Sequence, residues 1–322
     1  MTQRTPHTTH GIDGYDLIGD IHGCESALRA LLKRLGYRDK GGVMRHPSRK
    51  AIFLGDFIDR HPGRGVISIV RPMVEQGSAL AVMGNHEFNA LGFGLPHPEL
   101  PGRRLRERQG HTFDQHQPFI EEFEGNEPEY LDTLEWFQTL PLWLDLGELR
   151  VVHAVWDEGA IALIKEQIGA TLMLTNVQRI LPLYQPDTLL FEAAEFVLKG
   201  IERPLPPGTQ FKDTDGKIRN KARIKWWLED RKAYRWQDAV LGPSSLTHQL
   251  GEKMMIAQGF PQYPTNAPPV FIGHYWLSGE PGPLSPNVAC LDYSIARGGA
   301  LVAYRWDGEQ TLNKAHFMAV TN

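Results

Sequence analysis

The sequence has little cysteine and no long apolar run. Its only two cysteines, Cys24 and Cys290, are too few for a multi-cysteine zinc site and are typical of a reducing compartment. No apolar stretch approaches the roughly 20 residues that a membrane-spanning helix needs. Residues 1–14 are polar and lack the apolar core of a secretory signal, so they predict a flexible leader. We expect a soluble, cytoplasmic protein.

An excess of charge of one sign is also absent. Lysine and arginine number 34 against 38 aspartates and glutamates, which leaves a formal net charge of −4. Such a chain has no global field to attract DNA or an anionic membrane, so neither is expected as a partner. An anionic substrate must therefore be held by local residues. The composition specifies no oligomeric state.

Four motifs of common enzyme classes do not occur. The chain has no Gly-x-x-x-x-Gly-Lys, no Gly-x-Gly-x-x-Gly, no Gly-x-Ser-x-Gly and no His-Glu-x-x-His. Their absence argues against a P-loop ATPase, a dinucleotide-dependent oxidoreductase, a serine hydrolase and a zinc peptidase.

What the chain does contain is a repeated unit of strand, loop and helix. Apolar strands at 15–20, 51–54 and 79–83 are each followed by a glycine-containing loop and a helical pattern, of which 25–35 and 66–75 are the clearest. This order predicts a sheet covered by helices, with functional loops at the carboxyl ends of the strands.

The rest of the chain is less regular. We expect a single domain over 15–322, with little regular structure at 94–127 and a mostly helical insertion at about 158–265. Further strands are predicted at residues 142–146, 149–155, 269–272, 288–291 and 300–304.

Polar side chains follow directly after these apolar strands. They offer oxygen and nitrogen atoms that suit Mn²⁺, Fe or Zn²⁺, and a pair of such ions is a natural use for them. The residues are Asp20, His22, Asp56, Asn85, His153 and His274.

These motifs resemble those of the calcineurin-like metallophosphoesterases. Residues 55–60 (Gly-Asp-Phe-Ile-Asp-Arg) and 84–87 (Gly-Asn-His-Glu) are most similar to the phosphoprotein phosphatase branch, which includes bacterial protein phosphatases and diadenosine tetraphosphate hydrolases. The resemblance implies an α/β fold, a four-layer αββα sandwich with a helical insertion. It also implies two divalent metal ions, with Mn²⁺ as the first choice and Fe or Zn²⁺ as alternatives.

The resemblance also implies roles for single residues. Asp20 and His22 would hold the first metal, Asp56 would bridge both metals, and the second metal would be held by Asn85, His153 and His274. His86 would be the general acid, oriented by Asp59, and Arg60 would bind the phosphoryl group.

The substrate class stays open between readings. A protein serine/threonine phosphatase is the main interpretation, a dinucleoside polyphosphate hydrolase is the alternative, and a metal-bound module without turnover is the non-enzyme alternative. Residues 273–276 (Gly-His-Tyr-Trp) lack the second histidine of the superfamily's Gly-His-x-His, as is usual in the phosphatase branch. Residues 298–306 resemble the closing hairpin of diadenosine tetraphosphate hydrolases, but Asp59 stands where bacterial symmetric hydrolases usually carry alanine.

Two further arginines are candidate substrate contacts. Arg297 lies in the closing segment, and Arg223 precedes Trp226 and Trp227, which could form a platform beside it or be buried by an amphipathic helix. Five histidines in polar stretches are expected at the surface: His46, His61, His97, His111 and His116.

Overall fold

Two sheets face each other across an apolar interior. The computed structural model describes residues 12–169, 174–212, 216–228, 233–256 and 263–321. Sheet 1 has the order β17-β18-β1-β4-β5, with β19 also paired to β18, and sheet 2 has the order β16-β15-β7-β6. The strands of sheet 1 are β1 (Gly14–Ile18), β4 (Arg49–Phe53), β5 (Ala79–Ala81), β17 (Asp292–Tyr293), β18 (Ala300–Trp306) and β19 (Phe317–Thr321). The strands of sheet 2 are β6 (Trp143–Asp145), β7 (Arg150–Val152), β15 (Val270–Ile272) and β16 (Val288–Cys290).

Alternation along the strands explains the layering. In β1, Leu17 belongs to the apolar cluster between the sheets, and its neighbour Ile18 belongs to the cluster under the helices. Phe271 of sheet 2 lies in the same inner cluster as Leu17. Because successive side chains of a strand point to opposite faces, each sheet can pack on its partner sheet and on helices at once.

Helices form the outer layers. They are α1 (Glu25–Leu35), α2 (Arg64–Glu75), α3 (Asn85–Gly94), α4 (His111–Glu121), α5 (Glu127–Thr139), α6 (Glu158–Ile168), α7 (Val177–Ile180), α8 (Leu189–Lys199), α9 (Trp236–Ala239) and α10 (Ser244–Leu250), with 3₁₀ turns at Leu181–Tyr184, Ile295–Arg297 and Lys314–His316. Helix α1 buries Leu28, Leu31 and Leu32, which recur at helical spacing, and it ends at the left-handed Gly36. The layers confirm the predicted αββα sandwich. None of the helices in the described ranges is long and apolar enough to span a membrane.

Two sequence expectations need correction. The segment 94–127, expected to be irregular, contains the whole of α4. The segment 158–265 was expected to be mostly helical; it contains α6 to α10, but from residue 202 onward it also carries the short strands β8 (Glu202–Pro204), β9 (Phe211–Lys212), β10 (Ile218–Arg219), β11 (Lys221–Ile224), β12 (Ala233–Arg235), β13 (Val240–Leu241) and β14 (Met254–Ile256). A further short ladder pairs β2 (Arg38–Asp39) with β3 (Met44–Arg45). The flexible leader lies mostly outside the described residues, and the single domain stays a prediction.

Strand direction brings the functional loops to one edge. Strands β1, β4 and β5 run parallel to one another, and β7, β15 and β16 form a second parallel set. His153 Nδ1, just after β7, donates a hydrogen bond of 2.7 Å to the Leu54 carbonyl, just after β4. The carboxyl ends of the two parallel sets therefore meet.

Candidate metal centre

The six residues expected to hold metal come together in one buried place. Asp56 Oδ2 lies 3.7 Å from His22 Nε2 and 3.3 Å from His153 Nε2. The Asn85 amide oxygen lies 3.2 Å from His153 Nε2 and 2.7 Å from His274 Nδ1. The sixth residue, Asp20, joins through its Oδ2, which accepts from the backbone N–H of His274 at 2.9 Å.

Asp56 is shared by two groups of donor atoms. One group contains His22, Asp56 and His86, and the other contains Asp56, His153 and His274, with the candidate ligand atoms within 4.8 Å of one another in each. All five side chains are buried. A carboxylate common to two groups of donor atoms suits a pair of ions. His86 is expected to be the general acid, so the first group would ligate through His22 and Asp56.

The unsatisfied atoms of this cluster fit a bound cation. Asp20 Oδ1, His22 Nε2 and His274 Nε2 are buried without a hydrogen-bond partner among the described residues. Buried polar atoms normally have a partner, so these three are consistent with metal ligation. The Nδ1 of His22 donates to the Ile58 carbonyl at 3.1 Å, which leaves Nε2 as the ligand atom in the way usual for metal-binding histidines.

The loops reach this point through backbone conformations that few residues adopt. His22, Asp56 and His274 have φ values of +48°, +52° and +69°. Left-handed backbone at a non-glycine residue costs about 1–3 kcal/mol and is found mainly where function requires it. Close approach also demands Gly273, because a Cβ there would lie 2.0 Å from Asp20 Oδ1.

Protonation differs among the clustered histidines. Burial lowers the pKa of His22 to about 4, so its Nε2 lone pair is available at neutral pH. Burial also lowers the pKa of His274, and the nearby charge of Arg223 lowers it further. Burial acts against protonation of His153 too, but Asp56 and Asp20 outweigh it and raise its pKa to about 10.

His86 and Asp59 form a pair at the edge of the cluster. His86 Nδ1 donates to Asp59 Oδ2 at 2.5 Å, and its Nε2 lies 3.8 Å from Asp56 Oδ2. Burial alone would lower the pKa of His86, but the carboxylates of Asp56 and Asp59 hold it above its usual value. An imidazole that stays protonated near neutrality can act as a general acid.

Glu87 has a supporting role in the same loop system. Its carboxylate accepts backbone N–H bonds from Asp56, Phe57 and Gly84 at 2.8–3.0 Å. These bonds tie the loop after β4 to the start of α3.

Arginines and one tryptophan line the rim. The Trp276 indole stacks on the His22 ring with centroids 5.3 Å apart, and the guanidinium groups of Arg60 and Arg297 lie over Trp276 at 5.2 and 4.6 Å from its centroid. Asp292 Oδ2 accepts from the backbone N–H of Trp276 at 2.6 Å, which holds the indole in place. Arg297, expected to approach the site, thus contacts the same indole as Arg60.

Arg223 occupies a different position. From β11 its Nη1 donates to the carbonyl oxygen of His274 at 3.1 Å, so it supports the loop that carries this histidine. Direct contact of Arg223 with substrate stays a prediction. Trp226 and Trp227 are buried, as one of the two expectations had it. They follow strand β11, however, and do not lie on an amphipathic helix.

One histidine was wrongly expected at the surface. His116 is fully buried on α4, and its Nδ1 lies 3.0 Å from Asp59 Oδ1. The spacing of Phe113, Phe119 and Phe123 around it is a helical apolar pattern that could have revealed its burial. The other four histidines are partly or fully exposed.

Comparison with known proteins agrees with this geometry. Residues 16–200 match the family model for calcineurin-like phosphoesterases. The asymmetrical bis(5'-nucleosyl)-tetraphosphatase PrpE of Oceanobacillus iheyensis is 32% identical over 143 residues, covering 43% of this chain and 54% of that protein. PrpE of Bacillus subtilis is 35% identical over 146 residues, covering 44% and 57%.

A solved structure is also similar at lower identity. A protein serine/threonine phosphatase of Saccharomyces cerevisiae, with similarity to human phosphatase PP5, is 13% identical, with 98% of this chain and 82% of that chain covered and a TM-score of 0.47. The chain spans about half the length of the curated relatives it matches. Since the family model matches more than half of the sequence, the chain belongs to the calcineurin-like phosphoesterase family.

Proposed function

We propose that the chain is a phosphohydrolase that uses two divalent cations and cleaves dinucleoside polyphosphates. The observation that carries the metal part is the Asp56 carboxylate, shared between the His22 group and the His153–His274 group. Two bound cations would supply a nucleophile at neutral pH and neutralise charge in an in-line displacement at phosphorus. Mn²⁺, Fe and Zn²⁺ all suit this mixed oxygen and nitrogen set.

The chain's own groups would do the remaining work. The planar fork of Arg60 would bind the phosphoryl oxygens through paired N–H donors. His86 would hold a proton at Nε2 and deliver it to the departing oxygen, while Asp59 accepts from Nδ1 and keeps the ring in this orientation. The acid His86, its orienting carboxylate Asp59 and the phosphoryl-binding Arg60 are all present. Their presence together favours an active enzyme over a metal-bound module without turnover.

The names of the relatives and the arginines at the rim favour a dinucleoside polyphosphate hydrolase over a protein phosphatase. The matching relatives are tetraphosphatases by name, and the asymmetrical type among them agrees with an aspartate at position 59. The rim adds a physical reason, because Arg60 and Arg297 both lie over Trp276 and could bind successive phosphates of one chain. A phosphomonoester would need only one of them.

A product assay tests the proposal. The full chain with Mn²⁺ is offered diadenosine tetraphosphate and a phosphoserine peptide, kcat/KM is compared, and nucleotide products are separated chromatographically. We expect the tetraphosphate to be preferred and to yield ATP and AMP, as asymmetrical cleavage requires. Asp56→Asn, purified in the same way, controls for contaminating hydrolases. Preference for the peptide, or activity that survives in this variant, would contradict the proposal.

A further inference from the structure

We infer that His116 is a positioning residue for the Asp59–His86 pair, so that α4 is part of the functional site. The inference rests on the proposed function through the acid role of His86. His116 Nδ1 donates to Asp59 Oδ1 at 3.0 Å, while the other carboxylate oxygen accepts from His86 at 2.5 Å. The three side chains form a continuous chain, His116–Asp59–His86.

A second donor changes what Asp59 can do. The torsion that turns a carboxylate plane is broad, so a carboxylate held at one oxygen can still rotate. Donors at both oxygens fix the plane, and the plane sets the direction in which His86 points. Asp59 needs such support because its backbone is left-handed, with φ +65°.

Within the described ranges, the hydrogen bond to Asp59 is the one polar contact of the His116 side chain. Its ring stacks on Phe93 with centroids 5.5 Å apart and packs against Phe119 at 5.3 Å. Its Nε2 is buried and has no partner there. A carboxylate can only accept, so the proton of a neutral His116 must be on Nδ1.

The rest of α4 braces the same loop. Turning the Gln115 amide so that its oxygen faces Arg60 satisfies the local hydrogen bonding, and that oxygen then accepts from both Nη atoms at 3.1 and 3.2 Å. Glu122, directly after α4, accepts from the backbone N–H of Gly63 at 2.8 Å and of Arg64 at 3.1 Å. Helix α4 and the residue after it therefore contact the segment 59–64 at several points, and His116 contacts Asp59, the residue that orients the acid.

Leaving-group dependence separates positioning from mere stabilisation. β-Glycerophosphate has a poor alkoxide leaving group, which needs a proton to depart. p-Nitrophenyl phosphate releases p-nitrophenolate, a stable anion that departs without one. For His116→Leu with Mn²⁺, we expect kcat on β-glycerophosphate to fall about 10- to 100-fold and KM to stay unchanged. On p-nitrophenyl phosphate we expect a fall of less than about threefold, since the acid contributes little there.

Two variants serve as matched comparisons. His116→Asn keeps an N–H near the Nδ1 position and should recover most of the lost rate. Phe123→Leu removes aromatic packing next to Phe119 without touching Asp59, so it should lower Tm and leave the ratio of the two rates unchanged. Equal losses on both substrates, or no rescue by asparagine, would overturn the inference.

The failure of this inference can be told from failure of the proposed function. His86→Ala should change the same ratio at least as strongly; if it does and His116→Leu does not, only the role of His116 is wrong. If His86→Ala leaves the ratio unchanged, the acid role and this inference fall together. A readout without turnover is ¹⁵N-histidine NMR of the Zn²⁺-loaded full chain, assigned by His116→Asn. We expect the proton of His116 on Nδ1, and a proton on Nε2 alone would refute the inference even if the leucine variant does not fold.

Discussion

Replacing Gly273 by alanine tests whether the cluster holds metal as a unit. An added Cβ would lie 2.0 Å from Asp20 Oδ1 and 3.0 Å from its Cγ. Contacts below 3.0 Å essentially do not occur, so the Asp20 oxygen must move by about 1 Å. The atom that moves is the end of a side chain and not backbone, so the fold should survive at a cost of about 1–3 kcal/mol.

The same movement should be severe for the site. Asp20 is a candidate ligand, and a displacement of about 1 Å in a catalytic group can cost about 100-fold in rate. We expect Gly273→Ala to bind Mn²⁺ about 10- to 100-fold more weakly and to lose activity in proportion. Isothermal titration calorimetry and elemental analysis of dialysed protein measure the affinity and the occupancy.

The chain offers a matched control a few residues away. A Cβ at Gly282 would lie 3.9 Å from the nearest atoms of Lys314, and neither glycine has a left-handed φ. Gly282→Ala should therefore behave as the unmodified protein in metal affinity, activity and Tm. If Gly273→Ala matched this control in metal affinity and activity, the assignment of Asp20 as a ligand would be refuted.

Three further predictions address the shared carboxylate, the core and pH. Asp56→Asn keeps the acceptor for the backbone N–H of His86 but removes the charge that is proposed to bridge two metals, so elemental analysis should find both depleted; full occupancy would contradict the proposed shared role. Arg49→Met leaves the fully buried Asp16 paired with Arg305 alone and should lower the free energy of unfolding by about 3 kcal/mol in urea titrations, where a loss below about 1 kcal/mol would refute the argument. Burial would raise the pKa of Glu195, but the charges of Lys199 and Arg106 outweigh it and lower this pKa in the folded protein. The ionised carboxylate therefore stabilises the fold above the ordinary glutamate pKa of about 4.3, and this stabilisation is lost as the pH falls through the lower pKa of the folded state. The difference in unfolding free energy between wild type and Glu195→Gln should thus be full at pH 7 and shrink as the pH falls below the ordinary glutamate pKa, and a constant difference would contradict this sign.

The rim residues illustrate how far tertiary structure extends the sequence reading. Trp276 was interpreted only as the residue that replaces a metal-binding histidine. In the structure its indole stacks on His22 and contacts the guanidinium groups of Arg60 and Arg297, and these three residues come from separate loops. Contacts of this kind depend on how loops from both sheets meet, and no local periodicity encodes that meeting.

The sequence by itself predicted a sheet covered by helices and the six polar residues that cluster, and the family resemblance implied the four-layer arrangement. Each of these residues follows an apolar strand, and strand alternation and helical spacing are local patterns that depend on near neighbours. The tertiary structure alone decided that α4 docks on the 55–64 loop and places His116 against Asp59. The helical spacing of Phe113, Phe119 and Phe123 could indicate that one side of this segment is buried, but no local pattern names the loop against which it packs.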